Sequence, residues 1–296
     1  MNRAANMVPH PDLNNPVTVL RLSDDAPFPH SHYALKHRLE AWISLHLFDK
    51  FTYTVRRGLL KGMKRKGGLS WIPPMFSRAD MTAEQQYLSD LNLTGKVVYD
   101  IGAFQGLLTL FFASRAKRVV CFEPNTQNHK RLLENVKLNA INNVDIRKVG
   151  VGSRKEKRKM VGSPLMPGIA SVDEKSVEEF SRIWASPEVE QILVVTLDEE
   201  ILQAGLPAPD IVKIDVEGWE LEALRGASGT LESYKPILFL EMHGETVGEK
   251  KRKVAELVVF LWEHNYRSIR HIETGTMITP GNTSVAMEGH LHCQAT

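Results

Sequence analysis

The sequence predicts an α/β fold built on a parallel sheet, with a helical, basic extension in front of it. Three observations carry that expectation. From about residue 96 onward, short apolar runs alternate with stretches of helical spacing, the pattern of a parallel sheet with crossover helices. The first run, "VVYDIGAFQG" (97–106), passes from strand into a turn that holds a carboxylate and two glycines. Acidic residues then recur where later runs end, in "KID" and "FLEMH".

In chain order, residues 1 to about 30 are rich in Pro, Asn and Asp and show no periodicity. Leu35, Leu39, Trp42, Ile43 and Leu47 then recur at helical spacing, which predicts an amphipathic helix from Tyr33 to about Phe51. "VRRGLLKGMKRKGG" follows, with six basic residues between Arg56 and Lys66. Its glycines argue against a long helix, so it reads as a solvated linker with a basic face. The alternative is contact with phosphates, an anionic membrane surface or a lipid-linked substrate. These first 80 residues form the expected extension, and 81–296 the expected main domain. "TAEQQYLSDL" (82–91) predicts a helix with Thr82 and Gln85 as a capping box. Strands are expected at "KVVYDI", "RVVCFE", "VDIRKV", "DIVKID" and "ILFLEM", with two more at "YRSIRHI" and "EGHLHCQ". Helices are expected over 107–116, 127–139, 217–232 and 249–265. An insertion at about 153–190 breaks the rhythm, with a charged start, "SPLMPGIAS", and an acidic helical stretch. "QILVVTLDEEI" then adds a strand and a helix start.

Composition narrows the function classes. The chain has 296 residues, 43% hydrophobic and 24% charged, which is ordinary for a globular protein. A net charge of +2 offers no global attraction for nucleic acid. Cys121 and Cys293 make neither a disulfide framework nor a metal cluster, which fits a reducing cytoplasm. The first residues lack a signal peptide's apolar core, and "VAELVVFLW" is too short to span a bilayer.

In an open parallel sheet, ligands sit beyond the carboxyl ends of the strands. Gly102 can adopt unusual dihedrals, and Gly106 allows close packing of helix on strand. Glu123 ends the next strand, 23 residues after Asp100, where an acid can accept both ribose hydroxyls of a nucleoside. Asp100-x-Gly102-x-x-x-Gly106 is not the G-x-G-x-x-G of dinucleotide sites, and a carboxylate there repels a pyrophosphate. It suits a cationic amino group or sulfonium, so the pattern favours S-adenosylmethionine. By strand alternation Lys213 and Asp215 share a side, as do Glu241 and His243. Asp215, Glu217 or His243 could take the proton of an alcohol nucleophile, with Glu241 orienting the nucleophile or holding His243. A divalent cation bridging the acids is the competing arrangement; no dense ligand set is spelled out, so the metal-free reading is preferred. His290 and His292 share a strand face and read as structural.

These residues resemble the FkbM-type S-adenosylmethionine-dependent methyltransferases. "VVYDIGAFQGLLTLFFA", "FEPNTQNHKRLLENVKLN", "VGVGS", "VVTLDEEI", "PDIVKIDVEGWELEALRGA" and "LFLEMHG" match that family's successive blocks over about Gln86 to Gly244. The resemblance implies a class I methyltransferase (Rossmann-like) fold: a seven-stranded, mostly parallel sheet with helices on both faces and an antiparallel last strand. It implies O-methylation of a sugar, glycan or secondary-metabolite hydroxyl. It also implies cofactor contacts from Asp100, Gly102, Ala103, Gly106, Glu123, Asn125 and Gly150, with adenine near 149–152 and Asp215 and Glu217 beside the methyl. Phe104 departs from the Asn of many members. The rival classes are a nicotinamide-dependent oxidoreductase, which the missing G-x-G-x-x-G disfavours, and a non-catalytic binding protein of the same fold.

Overall fold

The computed structural model describes residues 51–66, 81–163, 166–171, 188–244 and 246–296. The expected helix from Tyr33 and the acidic helical stretch of the insertion lie outside them.

The described part of the extension is more than a linker. Thr52–Thr54 (β1) and Lys64–Lys66 (β2) pair antiparallel. The N–H groups of Lys64 and Lys66 donate to Asn139 Oδ1 and Asn135 Oδ1 at 2.8 and 2.9 Å, which docks the hairpin on the main domain. Arg65, expected on a solvated face, is buried.

The domain begins with Ala83–Asp90 (α1), where Thr82 Oγ1 accepts from the Gln85 N–H as the capping signature requires. Val97–Ile101 (β3), Leu107–Ala113 (α2), Arg118–Phe122 (β4), Thr126–Leu138 (α3) and Val144–Arg147 (β5) follow. The described residues of the insertion are largely strand: Glu156–Ser163 (β7), Met166–Ser171 (β8) and the start of Glu188–Val195 (β9) join Gly150–Val151 (β6), just before it, in a separate four-stranded sheet, in the order β6-β9-β7-β8. Then come Leu197–Ala204 (α4), Ile211–Ile214 (β10), Glu220–Arg225 (α5), Ser228–Tyr234 (α6), Ile237–Glu241 (β11), Val247–Glu263 (α7), Ser268–His271 (β12) and His290–Gln294 (β13). The single helix expected over 217–232 is broken into α5 and α6 at Gly226, where a Cβ would lie 1.9 Å from the Gly152 carbonyl oxygen. Two chain segments meet too closely there for a side chain.

The central sheet has seven strands in the order β12-β13-β11-β10-β3-β4-β5. Only β13 runs against its neighbours. This is the class I methyltransferase arrangement that the resemblance implies. Strand β3 is buried along its whole length, as its unbroken apolar run requires. Val98 packs with Leu88, Phe111 and Phe112 on one face, the side of α1 and α2. Tyr99 and Ile101 pack with Leu224 and Leu257 on the other, the side of α5 and α7. From β3 the chain leaves to β4 and β5 on one flank and to β10 and β11 on the other. The strand order therefore reverses between β3 and β10, where a crevice opens.

Candidate active site

The carboxyl ends of β3, β4, β10 and β11 open on one cavity of about 350 Å³. Gly102, Phe104 and Glu123 line it from the β3 and β4 loops. Val149, Gly150, Met160 and Ile192 close it from the β5 end and the inserted sheet, and Asp215, Glu217, Trp219, Glu241 and His243 complete the wall.

The glycine turn is built by contact between protein segments. Gly102 has a φ of 78°, and a Cβ on it would lie 1.8 Å from the Asp215 carbonyl oxygen. Only glycine lets the loop after β3 lie so close to the loop after β10. Gly106 caps α2 at a φ of 83°, and its Cβ would meet Leu132 Cδ1 of α3 at 2.3 Å. Its close neighbour is therefore α3, not the strand expected from sequence.

Of the seven residues expected to touch a cofactor, Gly102, Glu123 and Gly150 line the cavity. Asp100 does not: it is fully buried behind the loop, where Oδ2 accepts from Thr109 Oγ1 at 2.6 Å. Ala103 and Gly106 shape the same loop, and Asn125 caps α3 by accepting from the Asn128 N–H at 2.9 Å. Glu123 accepts from the Phe104 and Asn125 N–H groups, both at 2.8 Å. Burial pushes its carboxyl up to about 8, against the pull of those two donors. Phe104, the departure from the family pattern, faces the cavity with a φ of 51°.

The four expected catalytic residues converge. His243 Nε2 lies 3.8 Å from Asp215, 3.7 Å from Glu217 and 3.6 Å from Glu241. Its Nδ1 is 2.9 Å from Glu220 Oε1, and Glu220 is itself buried and accepts from the Gly218 N–H. The hydrogen-bond partner of His243 is Glu220; of the two roles expected of Glu241, orienting the nucleophile or holding His243, the second is taken by Glu220. Burial alone would lower the imidazole's pKa, but the Glu220 hydrogen bond and the charges of Glu220, Glu217 and Asp215 carry it up to about 10. Burial raises Glu217 to about 7. For Glu241, burial is outweighed by the nearby imidazoles of His290 and His243, which bring it down to about 2.

Lys213 is a second member that sequence reasoning left without a role. It is buried, donates to the Gly102 carbonyl at 2.9 Å, and sits 3.2 Å from Asp215 and 3.4 Å from Asp100. It ties β10 to the glycine loop and supplies positive charge beneath the acids. His290 is not merely structural in position. It lies 2.7 Å from Glu273, 3.6 Å from Glu241 and 3.7 Å from Glu84. His292, on the same strand face, instead pairs with the Tyr87 hydroxyl. Asp215, Glu241 and His243 each offer one ligand atom within 4.8 Å of the others, a spacing that could also hold a divalent cation.

The profile of the methyltransferase FkbM domain matches residues 100–268. Among curated proteins, the hexuronic acid methyltransferase AglP of Haloferax volcanii is 30% identical over 154 residues, 50% of this chain and 56% of that protein. The AMB antimetabolite synthetase AmbE of Pseudomonas aeruginosa is 28% identical over 205 residues, 59% of this chain and 10% of that one. The chain thus spans about half the length of the first and a tenth of the second. Among solved structures, methyltransferase FkbM from Methylobacillus flagellatus aligns with a TM-score of 0.47 at 18% identity, over 75% of this chain and 50% of that one.

Proposed function

The chain belongs to the FkbM methyltransferase family, and from that premise we propose that it is an S-adenosylmethionine-dependent O-methyltransferase acting on a hydroxyl of a sugar or other small metabolite. The observation that carries the reading is the cavity at the strand-order reversal, with an acid on the β4 loop at one side and an acid–imidazole cluster at the other. The cavity suits such a donor. Glu123 offers a carboxylate to ribose hydroxyls, Val149 and Gly150 offer an apolar slot, and among the described residues no partner meets the buried Trp219 Nε1–H on its wall. Glu217, Asp215 and Glu241 favour a cationic ligand over a pyrophosphate.

When bound, the donor supplies an electrophilic methyl on a sulfonium. The protein's own work is to orient the acceptor and receive its proton. Glu220 fixes the Nδ1 side of His243, so Nε2 faces the cavity among Asp215, Glu217 and Glu241. His243 Nε2 takes the hydroxyl proton as the acceptor oxygen attacks. A cation arriving beside those carboxylates weakens their hold on the imidazolium, so His243 becomes a competent base in the loaded site. A divalent cation on Asp215, Glu241 and His243 is the second reading. It is disfavoured because Lys213 Nζ already compensates Asp215 from 3.2 Å.

Calorimetric titration with S-adenosylhomocysteine beside NADH tests the reading. S-adenosylhomocysteine should bind, and Glu123→Ala should weaken it by about 10-fold or more, the scale of a lost hydrogen bond to a charged group. Binding of NADH in its place would overturn the reaction class. Activity that disappears with EDTA and returns with Mg²⁺ would favour the second reading.

A further inference from the structure

Two imidazoles face Glu241 at the cavity wall, and both are held in the same way. His243 presents Nε2 to Glu241 Oε1 at 3.6 Å, with its Nδ1 fixed by Glu220 at 2.9 Å. His290 presents Nε2 to Glu241 Oε2, also at 3.6 Å, with its Nδ1 fixed by Glu273 at 2.7 Å. We propose that Glu273 and His290 are a positioning pair: they hold the Glu241 carboxylate at the wall, where it orients the acceptor hydroxyl toward His243. The inference rests on the methyltransferase reading above and adds two residues to its machinery. Neither residue touches donor or acceptor, and no proton or methyl passes through them.

Register is the first argument. His290 lies directly opposite Glu241 on the antiparallel pair of β13 and β11, so the backbone ladder brings the two side chains to one face. The lock on the ring is the second. Glu273 accepts the His290 backbone N–H at 2.9 Å through one oxygen and meets Nδ1 through the other, while Phe239 stacks on the ring at 5.0 Å and 6°. The chain has glycine at 289 where this carboxylate must fit: Gly289 has a φ of 81°, and a Cβ there would lie 2.2 Å from Glu273 Oε2. A carboxylate on one ring nitrogen fixes the tautomer and the aim of the other, here toward Glu241. His292, two residues on, meets a tyrosine hydroxyl instead of a carboxylate.

Need is the third. The Glu241 side chain is 38% exposed, so its carboxylate can turn into solvent unless a partner holds it. His243 cannot be that partner at the moment of reaction. As a neutral base it turns a lone pair toward Glu241 and attracts it no longer. His290 stands outside the proton transfer. Three carboxylates surround it, Glu273 at 2.7 Å, Glu241 at 3.6 Å and Glu84 of α1 at 3.7 Å, and they favour its charged form. Its hold on Glu241 therefore persists while His243 changes state, the kind of support that residues behind a reacting group supply.

Two donor analogues provide the test and need no acceptor. S-adenosylhomocysteine has a neutral sulfur and no methyl, whereas sinefungin carries an ammonium group in place of the methyl. Calorimetry on the full chain should show sinefungin binding at least about 10-fold tighter, the scale of a charge-assisted contact. Glu241→Gln should remove most of that preference. His290→Ala should shrink it by about 5-fold or more with S-adenosylhomocysteine affinity unchanged, and Glu273→Ala should act in the same direction. His290→Gln, whose amide N–H can stand in for Nε2–H, should retain more of it than His290→Ala. The sign separates position from charge: deleting a cation beside Glu241 would by itself strengthen ammonium binding, so weakening reports a displaced carboxylate. In the Glu241→Gln background His290→Ala should have no further effect, as for two residues that act through one contact. If His290→Ala does not fold, Glu273→Ala decides alone. No preference in the wild type, a preference unchanged or increased in these alanine variants, or a loss that simply adds to that of Glu241→Gln would overturn the proposal. Intact S-adenosylhomocysteine binding in those cases would leave the methyltransferase reading standing, whereas its absence from the wild-type titration would remove both.

Discussion

In the proposed reaction Glu220 and His243 form the pair on which the proton chemistry turns, and their geometry makes a directional prediction. The carboxylate of Glu220 stabilises the imidazolium, so it sets the pH above which His243 can accept a proton. Activity should rise with pH along a limb governed by His243. In Glu220→Gln the imidazolium loses its strongest partner, its pKa falls, and the limb should move to lower pH while kcat drops. His243→Gln should cost about 10²- to 10⁴-fold in kcat, the range of a general base. A pH–rate limb that stays in place in Glu220→Gln would exclude the pair as the base. Asp215, Glu217, Glu241 and His243 were all legible as strand-end acids and a histidine. Glu220 was not, because an acid in the first turn of a helix reads as an ordinary dipole partner. Glu84 and His290 were hidden for a different reason. They join the cluster from segments more than a hundred residues from the β3 loop or from each other, and no local pattern records that meeting.

Among the elements, the loop after β3 carries the tightest constraint. Gly102→Ala would place a methyl 1.8 Å from a backbone oxygen at a left-handed φ of 78°. Gly95 has nearly the same φ, 75°, and a Cβ added there would meet nothing within 4 Å. Gly95→Ala should therefore cost only the left-handed penalty, about 1–2 kcal/mol. Gly102→Ala should cost clearly more in chemical denaturation and lose S-adenosylhomocysteine binding as the two loops part. Equal losses in the two variants would refute the close approach. The sheet itself was readable, since β3, β4, β10 and β11 are short apolar runs bounded by turn residues, and both C-terminal strands were expected where they lie. The insertion was harder. In "EKRKMVGS" the charges obscure a strand whose Met160 and Val161 are buried. The hairpin at 52–66 was masked by its glycines and bases, because what fixes it is Asn135 on α3 and Asn139 at that helix's C-cap, far along the chain.

For the molecule as a whole, the buried ionisable groups give stability a slope in pH. His243 and His290 both have folded pKa values near 10, well above the free imidazole. Each therefore contributes stability that is fully present below about 6.5 and is lost as pH rises through its folded value. Glu217 and Glu123, raised to about 7 and about 8, act in the same direction from about 4.5 upward, because the folded state keeps protons that the unfolded chain releases. The thermal midpoint should accordingly fall between pH 6 and pH 10, and His243→Gln with His290→Gln should flatten the decline above neutrality. A midpoint that rises over this range would contradict the charge assignments. Among the described residues no helix is long and apolar enough to cross a membrane. The sheet order has one more consequence, for how the molecule comes into being. Strand β13 is inserted between β11 and β12, and it alone runs backwards, so its first residue, His290, arrives at the edge where the parallel strands finish. On a ribosome, β11 and β12 must wait with facing edges unpaired until residues 290–294 have been made. The nascent chain gains its last sheet bonds and, through His290, its link from Glu241 to Glu84 in the same event.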